Sequence, residues 1–491
     1  MRSADIVLVN PGGHERIYQA LSSNLTAVEP PVWAGLMATF LRNRGFSVKI
    51  LDANANHMSH EETADEIIRL NPVLTAMVIY GHQPSASTQT MPGARAISKV
   101  MKQKASDMKI IMVGGHVSAL PERTLREEPI DFTATGEGIH TLAKLIDVLK
   151  SGSSNDLAEV PGLLYWENGE IKKGELDKLM QNLDKEIPGL AWDLLDMKKY
   201  RAHNWHCFGF TDEREPYASL YTTLGCTFKC TFCCINSPFG GPSYRMRSPA
   251  NVVEEIELLV QKYGVKNIKI ADEMFVLNVK HVSDICDMLI ERNLDLNIWA
   301  YARVDTVKRE GLLEKMKKAG FNWLALGIES GSANIRDGVS KSFGQDQIYQ
   351  SVQRIRDVGI NVCANYIFGL PDDDWNSMQA TLDLSLDLNA EYANFYSCMA
   401  YPGSPLYEDA LKQGLELPKS WSGYSQHSED ALPLPTKHLS GKEVLSFRDK
   451  AFDVYFNNPK YLVMMEKKFG SESVDHVKQM TAIRLVRRSA S

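Results

Sequence analysis

Two stretches of the chain, about residues 5–150 and 213–415, alternate short β-rich runs with amphipathic helical ones. This alternation constrains the fold more than any other feature, because parallel strands joined by crossover helices satisfy it best, with ligands received at the carboxyl ends of the strands. In the first stretch strands are expected at Ile6–Val9, Val48–Leu51, Leu74–Tyr80, Lys109–Val113 and Phe132–Thr135. Helices are expected at Val32–Arg44, Glu61–Leu70, Ala86–Lys104, Pro121–Glu127 and Ile139–Lys150, the second opened by a Ser59/Glu62 capping box. In the second stretch strands are expected at Ala218–Thr223, Asn267–Ala271, Leu296–Tyr301, Trp323–Ile328, Asn361–Phe368 and Tyr392–Met399. Helices at 249–263, 280–292, 310–319, 344–358 and 374–388 separate them. Six such units suit an open, partial barrel better than a closed eight-fold one.

The chain of 491 residues is too long for one core. The reading is an α/β protein: a doubly wound, Rossmann-like domain over 1–150, a connector over 151–212, a partial (β/α)6 barrel over 213–415 and a mostly helical region over 416–491. The connector begins with the polar segment SGSSNDLAEV and continues as an irregular stretch. Its Trp192, Trp205, Phe208 and Phe210 either line a cleft or pack a domain interface, packing being the simpler role. The last region contains helices at Gly441–Phe456 and Ser471–Val486.

A net charge of −7 gives no electrostatic reason to expect nucleic acid as a partner. Arg484, Arg487 and Arg488 read as a solvated basic tail. The apolar run Ile6–Val9 is too short for a signal peptide, and no run approaches the roughly 18 apolar residues of a membrane span. A cytoplasmic location is therefore expected, where thiols stay reduced and eight cysteines do not make a disulfide framework.

Four of those cysteines fall in LGCTFKCTFCCINSPFGG, directly after an expected strand, which points to a metal. Cys226, Cys230 and Cys233 stand in a C-x-x-x-C-x-x-C pattern. Three thiolates on one loop can hold three irons of a cubane and leave the fourth open. Structural zinc would want four ligands, with a second and distant pair. The motif resembles that of the radical S-adenosylmethionine (SAM) superfamily, in which Phe232, just before the last cysteine, is typical. The resemblance implies a 4Fe-4S cluster whose open iron is chelated by SAM. Reductive cleavage of SAM then yields a 5′-deoxyadenosyl radical that abstracts hydrogen from substrate. It also implies a reducing partner such as flavodoxin or ferredoxin.

The resemblance continues through IADEMFVLN (270–278), where Asp272 or Glu273 would grip the SAM amino group, although Asp272 also suits a helix N-cap. In AYARVDTV (300–307), Arg303 would pair with a carboxylate, or with Asp305 as a structural ion pair. LALGIESGS (324–332) places Glu329 and Ser330 where the family contacts the ribose and methionine parts of SAM. NYIFGLPDD (365–373) brings Gly369, and MAYPGSPLY (399–407) completes the pattern beside Cys398, read as a buried core thiol.

The first domain resembles the cobalamin-binding domain of one large branch of that superfamily. The carrying segments are VNPGG (9–13), residues 29–56, VGGHVSALPE (113–122) and TGEG (135–138). The resemblance assigns Asn10, Gly12, Gly13, Ser85, Ser87, Gly114, Gly115, Gly136, Glu137 and Gly138 to cobalamin. The double glycine would let backbone lie against the nucleotide tail. The usual D-x-H-x-x-G element is missing, and His14 stands at the wrong spacing, so no protein imidazole is expected on cobalt. A doubly wound domain that binds nothing, or a nucleotide, is the alternative; no G-x-G-x-x-G follows Val9.

Together these resemblances imply a cobalamin-dependent radical SAM enzyme with a small-molecule substrate. The expected reaction transfers a methyl group from methylcobalamin to an unactivated centre. A radical cyclase or rearrangement enzyme, like those of bacteriochlorophyll synthesis, is the alternative. A tRNA methylthiotransferase would want a second cysteine set near the N-terminus and a basic tail domain, and a cobalamin sensor would leave the cysteine motif idle.

Overall fold

Seven strands form the first sheet of the computed structural model, which describes residues 4–13, 17–22, 26–81, 83–152 and 154–488. They are β1 (Ile6–Asn10), β2 (Val48–Asp52), β3 (Leu74–Ile79), β4 (Ile110–Gly114), β5 (Phe132–Ala134), β6 (Leu163–Glu167) and β7 (Glu170–Lys173), in the order β2-β1-β3-β4-β5-β6-β7. β1 to β5 pair in parallel, and the near-continuous apolar burial of β1, β3, β4 and β5 is that of strands covered on both faces, while β2 is the partly exposed edge. The helices over Val32–Arg42, His60–Leu70, Ala86–Lys104 and Ile139–Ser151 supply that cover, and the Ser59/Glu62 capping box is present.

The first part of the expected irregular connector is ordered. β6 and β7 form an antiparallel hairpin that extends the sheet beyond β5, and one 3-10 turn, Ser154–Glu159, lies in the expected linker. The alternation in LLYWENGEIKK is short and its outer strand exposed, so its apolar signal is weak.

The second sheet is a six-stranded, all-parallel open barrel, β8 (Tyr217–Leu220), β11 (Asn267–Ile270), β12 (Asn297–Arg303), β13 (Phe321–Glu329), β14 (Asn361–Phe368) and β15 (Tyr392–Ser397), adjacent in that order. Between its first two strands lies a short antiparallel pair, β9 (Thr223–Leu224) and β10 (Arg245–Met246). The C-terminal region is helical over Gly441–Phe456, Pro459–Phe469 and Ser471–Ala482. The first of these packs on the β15 side, where Phe447 meets Phe368 edge-on and the Tyr455 hydroxyl donates to the Ala390 carbonyl at 2.6 Å.

The last helix stops at Ala482, four residues earlier than expected, and the chain leaves it extended. The Val486 N–H donates to Gln19 Oε1, and Arg487 donates to the Asp449 carboxylate and to the Gln426 and Ser428 carbonyls. Arg487 thus anchors the tail, because buried carbonyls are there to receive it, whereas Arg484 and Arg488 keep exposed side chains that pair with Asp453 and Glu429. No helix among the described residues is long and apolar enough to cross a membrane.

Candidate active site between the two sheets

The β9/β10 pair closes the base of the cysteine loop. Gly225 takes φ +89° where a Cβ would press on Ser243, so the chain turns tightly into Cys226. Cys226 is buried and Cys230 and Cys233 are half-buried, with the Cys233 N–H donating to the Cys230 carbonyl at 3.1 Å. Burial, with the repulsion of the neighbouring thiolates, holds the Cys233 thiol well above its ordinary range. A cationic metal cluster reverses that preference, so the donor set fits one. Among the described residues no three His, Cys, Asp or Glu side chains converge on a single-ion site. A cubane asks instead for thiolates held apart, one to each iron. Cys207, Cys286, Cys363 and Cys398 are buried singly elsewhere.

The Arg303 guanidinium, at the end of β12, lies 3.8 Å from the centre of the Phe228 ring and places Nη1 3.8 Å from Cys230 Sγ. It also pairs with Asp305 at 2.9 Å, so the structural ion pair and the place beside the cysteine loop are the same arrangement. Phe232 packs at the edge of the core, with the Lys341 ammonium 6.0 Å from its ring centre.

The two acids after β11 separate sharply. Asp272 is fully buried and accepts from the Thr222 N–H and hydroxyl, both at 2.6 Å, and from the Thr223 hydroxyl at 2.8 Å. It ties β11 to the strand leading into the cysteine loop. Glu273 instead lines a small cavity of about 20 Å³ between the domains, and its buried Oε2 has no hydrogen-bond partner. Burial pushes its carboxyl up to about 8.

Glu329, at φ +69°, pairs with buried Lys341, and the Ser330 hydroxyl bonds Thr381 at 3.2 Å. Gly369 is needed for packing, since a Cβ there would drive into Val444. Its N–H donates to Asp373 at 3.0 Å.

Of the residues assigned to cobalamin, several are engaged within the protein. The Ser87 hydroxyl donates to the Ile79 carbonyl and accepts from the His116 N–H at 2.8 Å, stitching β3 to the double-glycine turn. Gly114, at φ +146°, has its Cβ position filled by the Ile79 backbone, so strand packing by itself requires a glycine here. Glu137 pairs with Arg245 of β10, and its flanking Gly136 and Gly138 take positive φ to let it turn in. Gly115 differs, because a Cβ there would meet nothing closer than Ser87 Oγ at 3.4 Å. Ser85 precedes the helix over Ala86–Lys104 without capping it. Asn10 donates to Asp52 at 2.8 Å, and Gly12 and Gly13 follow it beside Ala53 and Gly93. His14 lies outside the described residues.

His116, which sequence reading passed over, follows the double glycine and is buried. Its Nδ1 is 3.1 Å from Thr88 Oγ1, its Nε2 has no partner, and burial lowers it to about 3, so the ring is neutral. His116, Ser87 and Gly115 line the same small cavity as Glu273 and Cys234. The two domains are docked here, the Ser237 hydroxyl donating to the Gly115 carbonyl at 3.1 Å.

A larger cavity of about 390 Å³ opens between the ends of β1 and β3 and the interior of the barrel. Trp33, stacked on Tyr80 at 4.0 Å between ring centres, borders both cavities. Trp205 both packs against Trp299 and Trp323 and lines this cavity, whereas Trp192 and Phe208 are packing residues. A buried pair, Lys269 and Glu29, also lines it. The signal for Lys269 was available: a lysine between isoleucines in NIKIAD is a charge inside an apolar strand, and such a charge needs a partner.

Residues 220–385 match the family model of the radical SAM superfamily, and residues 18–146 match that of the B12 binding domain. The chain is 30% identical to the "uncharacterized methyltransferase PH0819" of Pyrococcus horikoshii over 94% of its own length and 95% of that protein. It is 26% identical to the anaerobic magnesium-protoporphyrin IX monomethyl ester cyclase of Rubrivivax gelatinosus, over 80% of this chain and 68% of that one. Among solved structures, the radical SAM methyltransferase TsrM from Kitasatospora setae, with cobalamin and an iron–sulfur cluster bound, shares the fold. The TM-score is 0.69 at 17% identity, over 94% of this chain and 90% of that one.

Proposed function

The chain belongs to the radical SAM superfamily, in the branch that also carries a B12 binding domain, and we propose that it methylates an unactivated centre of a small biosynthetic molecule. The observation that carries the reading is the shared cavity: the Gly114–Gly115 turn of the first domain and the cysteine loop of the barrel are docked on each other, with Glu273, Cys234 and His116 around one space. When bound, the cluster supplies the electron that cleaves SAM and cobalamin carries the methyl group between SAM and substrate.

In this reading Cys226, Cys230 and Cys233 hold the cluster. Glu273 binds the SAM ammonium group, since its orphaned carboxyl oxygen gains a charged donor there. Asp272 acts as a brace for that loop. Arg303 orients the SAM carboxylate or the Cys230 thiolate, and Ser330, with the Glu329–Lys341 pair, shapes the far end of the SAM site. Gly115 and His116 face cobalamin, with His116 Nε2 exchanging a hydrogen bond with it. A flavodoxin or ferredoxin in the cytoplasm completes the system, because an open-site cluster and eight unpaired thiols both need reducing surroundings.

The test is product stoichiometry with methyl-deuterated SAM. Each turnover should give one S-adenosylhomocysteine and one 5′-deoxyadenosine with methionine, and a labelled methyl in the product. Deoxyadenosine without S-adenosylhomocysteine or label would move the assignment to the cyclase class of its relative.

A further inference from the structure

The barrel floor carries a row of side chains that the SAM and cobalamin sites leave unused. Ser219, Lys269 and Trp299 are in register across β8, β11 and β12, and parallel register puts them on one face. That face is the lumen, because Lys269 and Trp299 line the 390 Å³ cavity. All three can donate hydrogen bonds. The Trp299 indole N–H and the Ser219 hydroxyl are buried and complete no well-formed hydrogen bond, Ser219 lying close to the Glu29 carboxylate and Trp299 close to the Tyr217 hydroxyl. The Lys269 ammonium lies 3.1 Å from both carboxylate oxygens of Glu29 and 5.1 Å from the Trp299 ring centre.

His203 adds a fourth donor. Its Nδ1 accepts from the Ala27 N–H at 3.3 Å, so in the neutral ring Nε2 carries the hydrogen, and Nε2 faces Glu29 Oε1 at 3.9 Å. Glu29 belongs to the segment leading into the helix over Val32–Arg42, not to the barrel. One carboxylate from outside the barrel therefore occupies a nest of donors built by the barrel strands and by His203 of the connector. Aromatic rings, Tyr301, Tyr396, Phe395 and Phe452, make up part of the remaining wall, beside polar residues that include Asn394, Arg448 and Asp449.

We infer that this row is the recognition end of the substrate site, and that it takes a small molecule with a flat apolar body ending in a carboxylate-type anion. The body lies along the aromatic walls. The anion receives the Lys269 ammonium and the Trp299 N–H in place of, or beside, the Glu29 carboxylate. A neutral amide would leave Lys269 without a gain, and a cationic end would meet the same ammonium at close range. This deepens the methyltransferase reading but rests only on the cavity, so its test needs neither SAM cleavage nor methyl transfer.

The experiment is saturation-transfer NMR on the full chain with 3-phenylpropionate, 3-phenylpropionamide and 2-phenylethylammonium as probes. The carboxylate should bind at least tenfold more tightly than either of the others. Glu29→Gln removes the competing carboxylate and should tighten the anionic probe about tenfold while leaving the amide within twofold. Trp299→Phe should weaken the anion and not the amide. Lys269→Met leaves Glu29 buried and alone, so it is made together with Glu29→Gln, and the pair should erase the preference. Equal binding of the three probes, preference for the cation, or weaker anion binding in Glu29→Gln would overturn the inference. A correct probe preference combined with deoxyadenosine as the sole SAM product would instead refute the methyltransferase reading and leave this one standing.

Discussion

Arg245 reaches from β10 to Glu137 in the first domain, closing hydrogen bonds of 2.9 and 3.1 Å, and a third joins it to the Met180 carbonyl at 2.9 Å. The pair is nearly sealed from water and spans the two sheets that enclose the site. Removing one member leaves an uncompensated buried charge, which costs about 3–5 kcal/mol. Arg245→Met should lower stability by that order in chemical denaturation. Arg245→Met with Glu137→Leu should recover most of the loss, because no lone charge remains.

Asp272 and Glu273 should respond in opposite ways. Asp272→Asn disturbs three acceptor bonds to Thr222 and Thr223 and should cost about 1–3 kcal/mol of stability. Glu273→Gln should leave the melting temperature almost unchanged and weaken SAM at least tenfold. Equilibrium SAM binding beside thermal melting separates the two, and a Glu273→Gln protein with normal SAM affinity would reject that role.

The glycines of the double-glycine turn should also part company. Gly114→Ala forces a Cβ into the Ile79 backbone at a positive φ and should destabilise the fold by more than about 2 kcal/mol. Gly115→Val should fold normally and bind cobalamin more weakly, read by the cobalamin absorption spectrum on titration.

His140 gives the protein a pH-dependent increment of stability. Hydrogen bonds to Asp177 at 3.3 Å and, against a burial penalty, to Glu186 at 3.0 Å raise it to about 9. A pKa raised on folding stabilises fully below the unfolded value near 6.5, and the increment is lost as pH rises through about 9. Thermal melts across that window should decline in the native protein more steeply than in His140→Gln, and parallel curves would remove the histidine from the account.

Anaerobically reconstituted protein should hold about four iron and four sulfide. Alanine at Cys226, Cys230 or Cys233 should abolish SAM cleavage. Cys234→Ala should retain the iron, because Cys234 faces the interdomain cavity beside Ile235 and Phe239.

The sequence alone determined what local chemistry encodes. Alternating apolar periods set eleven strands in two parallel sheets and the helices between them, and three cysteines on one loop set the iron–sulfur reading. It missed the β6/β7 hairpin, whose outer strand has no buried face to write a pattern with. The tertiary structure alone decided which polar residues are spent on the fold. Asp272 and Glu273 are neighbours of like charge, and only the approach of Thr222 and Thr223 on another strand satisfies one and orphans the other. Glu29 and Lys269 stand 240 residues apart, and no spacing rule joins them. Long-range packing brings such pairs together, and the cost of burying an unpaired charge then requires that they meet.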